Sequence, residues 1–364
     1  MRDGLRLVLA GDVMTGRGID QVLPRPGDPT LHEEHVDDAR TYVRLAERVS
    51  GPVPRPVGPT WPWGVALEAM DAAAADARVM NLETSVTSSD TPDLGKPVNY
   101  RMSPANLDVL RVARVDVWAL ANNHVLDYGR PGLRETLAVL DAGGVRGCGA
   151  GATDVEAWRP LRVPRARVTV LSVADASSGV PPSWQAGPDR PGVALLPGLT
   201  DAAADAVAHR LQEEAEPGDV LVVSVHWGSN WGYAVPSDQR RFAHRLLDAG
   251  VHVVHGHSSH HPRPVEVHRG RLVLHGCGDL VDDYEGIGGY AAFRDDLRVL
   301  WVADVEAGTG ALTGLRLVPL RARRLRLEHA AAEDVEWLRA TLTREGRSLG
   351  TRVEPGDGGL ALRW

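Results

Sequence analysis

A chain of 364 residues, 43% hydrophobic and 24% charged, is long enough for a sizeable core and has the composition of a folded globular protein. A net charge of −8 argues against a general nucleic-acid binder, which needs a basic face. Two cysteines, Cys148 and Cys277, give no disulfide framework, and no apolar run reaches membrane-spanning length. The expectation is therefore a cytoplasmic protein without a membrane anchor.

In chain order, Leu5–Ala10 reads as a short buried strand closed by Gly11-Asp12. Residues 20–63 carry seven prolines between Gln21 and Trp61 and a helical pattern over Asp37–Val49. They read as a long excursion from the sheet, a lid that brings Arg25, His32 and Arg44 within reach of a site. A helix is predicted over Val65–Ala77 and a strand over Arg78–Leu82. Leu107–Val112 reads as a helix, Val115–Ala121 as a strand and Gly132–Ala142 as a helix closed by Gly143-Gly144. The pattern continues with strands at Val168–Val173, Asp219–Val225 and Val251–His255, and with helices at Thr200–Glu214 and Ser237–Asp248. Leu272–His275, Val299–Val305 and Leu312–Leu320 read as later strands separated by short turns, with a terminal helix over 333–344. This alternation predicts a layered α/β fold over 1–320, with antiparallel strands joining the sheet late and a helical tail over 321–364.

The residue types that bind metals fall where such a fold collects its ligands, just past the carboxyl ends of strands. Asp12 follows the first strand and Glu83 the second. Asn122, Asn123 and His124 follow the third, His226 follows DVLVVSV, and His255, His257, His260 and His261 surround the end of VHVV. Carboxylate, imidazole and amide oxygen suit Mn, Fe or Zn, in one or two ions. Two adjacent ions can activate a hydroxide and clamp the reacting oxygens of a phosphoryl or acyl centre.

The strings GDVM at 11–14, NLET at 81–84, ANNHxxDYG at 121–129, HWG at 226–228 and GHSSHHPRPVE at 256–266 resemble the CapA family. That family is named for poly-γ-glutamate capsule synthesis and is placed in the calcineurin-like metallophosphatase superfamily. The resemblance implies a metallophosphatase-like α/β sandwich of mixed sheets with helices on the outer faces. It also implies that Asp12 and His260 bind a first metal, that Glu83 bridges, and that Asn123, His226 and His257 bind the second. His124 is the implied proton donor, oriented by Asp127. Two departures stand out: Met14 occupies the superfamily's usual histidine position, and Glu83 replaces the usual aspartate.

Around that set, His255 and His261 supply more imidazoles than two ions need, and read as supporting groups. Asp279, in HGCGDLVDDYEG, is read as orienting a ligand histidine. Lys96, the sole lysine, together with Arg17 and Arg101, is a candidate for holding an anionic substrate, with Trp227 walling the pocket. Three functions remain open. The favoured one is hydrolysis of a phosphoester by a metal-activated hydroxide. The second is chemistry at an amide or carboxyl centre of a γ-glutamyl or peptide-like small molecule. The third is a non-catalytic part in capsule assembly.

Overall fold

The computed structural model describes residues 4–364 and shows two large β-sheets packed face to face with helices outside both, besides two two-stranded pairs. The larger sheet is ten-stranded. Its first strand, Gly4–Val13, pairs in parallel with Ala77–Leu82, which pairs in turn with Val117–Ala119. On its other side run the antiparallel strands Leu297–Glu306 and Leu312–Ala322, as the short turns between them suggested. The smaller sheet has six strands. Val168–Ala174, Val220–His226, Val253–His257 and Arg271–Leu274 are parallel, and each edge strand is antiparallel.

Side-chain alternation builds the layers. Along the first strand Leu7 and Leu9 point between the sheets, against Val170, Val222 and Val253 of the smaller one. Val8 and Ala10 face the opposite way and meet Met70, Leu133 and Leu140 of the outer helices. The far face of the smaller sheet, with Val223 and Val225, is covered by helices Asp201–Glu214 and Ser237–Asp248. Strands buried on both faces must be continuously apolar, which explains runs such as VLVVSV.

Three readings need correction. The helix predicted over Val65–Ala77 spans only Ala66–Ala72, because Ala74 turns into the left-handed region and Ala77 already pairs in the sheet. Residues 321–364 are not purely helical. Besides the helix Ala332–Gly346 they form a hairpin, Arg352–Gly356 with Gly359–Arg363, that extends the larger sheet beside Leu312–Ala322. In the 20–63 excursion, Val43, Ala46, Val53, Val57 and Trp63 join the outer core. Arg25, His32 and Arg44 are exposed and do not line the cavity described below. Among the described residues no helix is long and apolar enough to cross a membrane.

Candidate metal centre

Register brings the strand-end residues together. His226 and His257 are direct neighbours across two parallel strands. Asp12 sits opposite Asn81 on one side and Asp279 on the other, the latter in a three-residue parallel strand, Asp279–Val281. That close approach requires Gly11, since a Cβ there would stand 1.9 Å from the Gly278 carbonyl oxygen. Ser258 takes φ of 100°, unusual for a residue with a side chain, and so turns its N–H onto Asp12 Oδ2 at 3.2 Å.

Two donor groups result. One atom each from Asp12, His226 and His257 lie within 4.8 Å of one another, and so do atoms of Asp12, His260 and Asp279. The carboxylate common to both is Asp12. Glu83, the bridge implied by resemblance, is 3.4 Å from His226 Nε2, and Asn81 Nδ2 donates to both Glu83 and Asp12. Asn123 is in place, its Oδ1 3.0 Å from His226 Nε2. Asp279 takes part in the second group, and both its oxygens lie 3.0 Å from His260 Nδ1.

Hydrogen bonds test whether these residues suit a cation. The Ala10 carbonyl can only accept, so His255 Nε2–H donates to it at 2.9 Å and His255 Nδ1 is bare. Ser224 O–H therefore donates to that nitrogen at 3.0 Å, and Ser224 Oγ accepts from His257 Nε2–H at 2.9 Å. His257 Nδ1 is left with a lone pair, aimed at His226 Nδ1 2.9 Å away and with Asp12 Oδ1 at 3.7 Å. His226 meets electron-pair donors on both of its nitrogens but, when neutral, has one N–H to share. Burial holds both of these imidazoles neutral, well below the usual histidine range. It also raises the Asp12 carboxyl to about 8, with Asp279 adding to the effect, and pushes Glu83 well up. Neutral imidazoles and crowded, buried carboxylates are stable neighbours when a divalent cation lies between them, so the donor set fits one.

The cavity beside these groups has a volume of about 600 Å³, and its wall includes Met14, Glu83, Asn123, His124, His226 and His260. His124 Nδ1 is 2.6 Å from Asp127 Oδ2, an acceptor, and 3.2 Å from the Lys96 ammonium, a donor; the shorter contact, to the carboxylate, places the ring proton on Nδ1 and leaves Nε2 bare. Burial lowers its pKa to about 4, against the opposing pull of Asp127. Asp127 is fully buried and also accepts from the Tyr100 N–H at 2.6 Å and from Lys96. Burial depresses His260 too, but Asp279, with Asp12 and Asp282, outweighs it and raises the pKa overall.

Several expected substrate groups are otherwise engaged. Lys96 lines the cavity, yet its ammonium is bound to Asp127 and the Asn123 carbonyl. Arg17 is buried between Asp283 and Glu33 with its guanidinium 3.7 Å from the Tyr42 ring centroid. Arg101 donates to the Ser89 and Asp28 carbonyls, away from the cavity. Trp227 is a core residue that donates to the His275 carbonyl and packs on Phe242. His261 donates to the Pro262 carbonyl and accepts from the Gly232 N–H, leaving no nitrogen for a metal. Sequence reasoning missed Asn81, which ties Asp12 to Glu83. It also missed the part of Asn122, whose amide bonds Asn81 and whose oxygen accepts the His124 and Val125 N–H groups. Their signal was an asparagine shortly before each candidate, two residues before Glu83 in NLE and directly before Asn123 in NNH.

A family model described as bacterial capsule synthesis protein PGA_cap matches residues 6–284, a span holding every residue of both donor groups. The chain belongs to this family. The CapA resemblance carried by the motifs is borne out. A PGA_cap relative from Mycobacterium tuberculosis (strain ATCC 25618 / H37Rv), named "Probable polyglutamine synthesis accessory protein", is 51% identical over 356 residues, 96% of this chain and 93% of that protein. The PGA biosynthesis protein CapA of Bacillus subtilis (strain 168) is 25% identical over 301 residues, 82% of this chain and 67% of its own length. A crystal structure of a Thermus thermophilus protein aligns over 85% of this chain and 97% of its own, with 10% identity and a TM-score of 0.39.

Proposed function

We propose that this PGA_cap protein is a metal-dependent hydrolase of amide bonds in a glutaminyl- or glutamyl-type substrate. The observation that carries the reading is the shared cavity wall. It joins His124, with its proton fixed on Nδ1 and Nε2 free, to residues of two adjoining donor groups. Asp12, His226 and His257 would hold one divalent cation, and Asp12, His260 and Asp279 a second. Such a cation, when bound, polarises a carbonyl oxygen and makes water more acidic.

The protein's own groups then move the proton. As the water oxygen bonds to the amide carbon, His124 Nε2 accepts the proton that water gives up. As the C–N bond breaks, the same nitrogen returns it to the leaving amine, so one water is consumed and an acid and an amine form. Asp127 holds the imidazole in the required tautomer, and Lys96 offsets the Asp127 charge. The name of the M. tuberculosis relative supports a glutaminyl-type substrate.

A second reading, phosphoester hydrolysis, is favoured by Asp12 standing in both groups, an arrangement suited to clamping two oxygens of a phosphoryl centre. Manganese-loaded protein assayed on glutamyl and glutaminyl amides and on an aryl phosphate separates the two. Amide turnover that disappears in His124→Ala with metal content retained supports the proposal. Turnover of the phosphate alone replaces it with the second reading. Stoichiometric metal with neither activity sinks the hydrolase reading and leaves a non-catalytic role in polymer assembly.

A further inference from the structure

The metal cavity opens at one end into a narrower groove. The two share Val98, Tyr100, Asn230, His260 and Tyr284. The groove's volume, about 230 Å³, is below the roughly 300–1,000 Å³ of independent small-molecule sites, so it reads as an annex to the cavity. Its walls are aromatic. On one side Tyr100 and Tyr284 join hydroxyl to hydroxyl, and Tyr42 adds a third ring. On the other, Trp231 and Tyr290 stack with centroids 4.0 Å apart and planes within 5°. Trp231 also lies 5.2 Å from the ring of His260, so this wall begins at the metal donors.

Charge narrows what the groove takes. The arginine and lysine along both spaces already have partners: Lys96 with Asp127, and Arg17 with Asp283 and Glu33. Asp295 adds a carboxylate to the groove wall. A second carboxylate seated there would face Asp295 and, among the described residues lining the groove, no unpaired arginine or lysine. A carboxamide would find aromatic faces for its methylenes and plane, an acceptor in Asp295 and both a donor and an acceptor in Asn230.

We propose that the groove between Trp231–Tyr290 and Tyr100–Tyr284 is a second subsite, which seats the neighbouring unit of an uncharged, glutamine-like polyamide while the bond to be cut lies over the metal donors. This rests on the amide reading above, and it makes the protein selective for chains over single units and for carboxamide over carboxylate side chains. Trp231 and Tyr290 act here as specificity-determining residues.

Binding tests the subsite separately from turnover. Glutamine and glutamate oligomers of one to four units are titrated calorimetrically into manganese-loaded His124→Ala protein, in which the chain is not consumed. The same titrations are run with Tyr290→Ala or Trp231→Ala added. Tyr290 is partly exposed, so its variant tests the wall even if Trp231→Ala fails to fold. Glutamine oligomers are expected to gain affinity from one unit to two. Each wall variant should cut that gain about fivefold while leaving the single-unit affinity unchanged. No gain with length, a gain that survives Tyr290→Ala, or a larger gain for glutamate oligomers overturns the subsite. If the length gain appears but wild-type protein cleaves no amide, the subsite stands and the hydrolase reading fails.

Discussion

Ser224→Ala isolates the least visible part of the proposed metal centre. Ser224 is fully buried and lines neither the cavity nor the groove, yet its hydroxyl accepts from His257 Nε2–H and donates to His255 Nδ1. Removing it strands two buried ring nitrogens, at about 1–3 kcal/mol each. It also frees His257 to carry its proton on Nδ1, the nitrogen that the proposed cation would need bare. Loss of such a supporting contact lowers metal affinity roughly 10–100-fold, equivalent to about 1.4–2.7 kcal/mol. Ser172 is the control. It lies next to Ser224 in register, is equally buried, and accepts only the Ala121 N–H, at 3.2 Å. Competition titration against a chromogenic chelator should show weaker manganese binding in Ser224→Ala. Ser172→Ala should bind normally, even though thermal melts show both variants destabilised. Equal affinity in Ser224→Ala and wild type, or an equal loss in Ser172→Ala, would refute the proton ladder and the donor geometry derived from it.

Two further outcomes follow from the packing. Gly11→Ala forces the Gly278 carbonyl away and with it Asp279, so it should both destabilise the fold, by about 1–3 kcal/mol, and weaken the donor group of Asp12, His260 and Asp279. Unchanged melting and metal stoichiometry would contradict the close approach. Glu266 supplies a pH dependence remote from the metal centre. Burial alone would raise its pKa, but donation from His275, Arg240 and His244 overcomes this and brings it down to about 2. A carboxylate lowered in the folded state stabilises above its ordinary value near 4.5 and loses that contribution as pH falls toward 2. Glu266→Gln should therefore cost at most about 3 kcal/mol at neutral pH, with the gap to wild type closing below about pH 4 in urea denaturation. A gap that stays constant down to about pH 2.5 would show that charge is not its source.

Much of the candidate donor cluster was legible because the fold gathers strand ends at one edge. The convergence of Asp12, His226 and His257, with Asn123 beside His226, needed only the recognition of short apolar strands ending in electron-pair donors. Which carboxylate is shared was not legible. It depends on a three-residue strand, Asp279–Val281, that has no periodicity to read and is brought to Asp12 by a glycine contact. The partners that engage Arg17 were hidden for a related reason. Arg17 is neutralised by Asp283, 266 positions away, and no local pattern announces such a partner. Trp227 follows His226 in sequence, but it turns into the helix-covered face of the smaller sheet, where Phe242 receives it. The tail hid its strands because RVEPG and GLALR are short and find their pairing only beside Leu312–Ala322.

Anomalous diffraction from crystals grown with manganese addresses the metal centre itself. The donor geometry predicts a strong peak among Asp12, His226 and His257 and, if a second ion is present, another among Asp12, His260 and Asp279. Saturating manganese with no peak in contact with Asp12, or with a peak only at unrelated surface carboxylates, would contradict it.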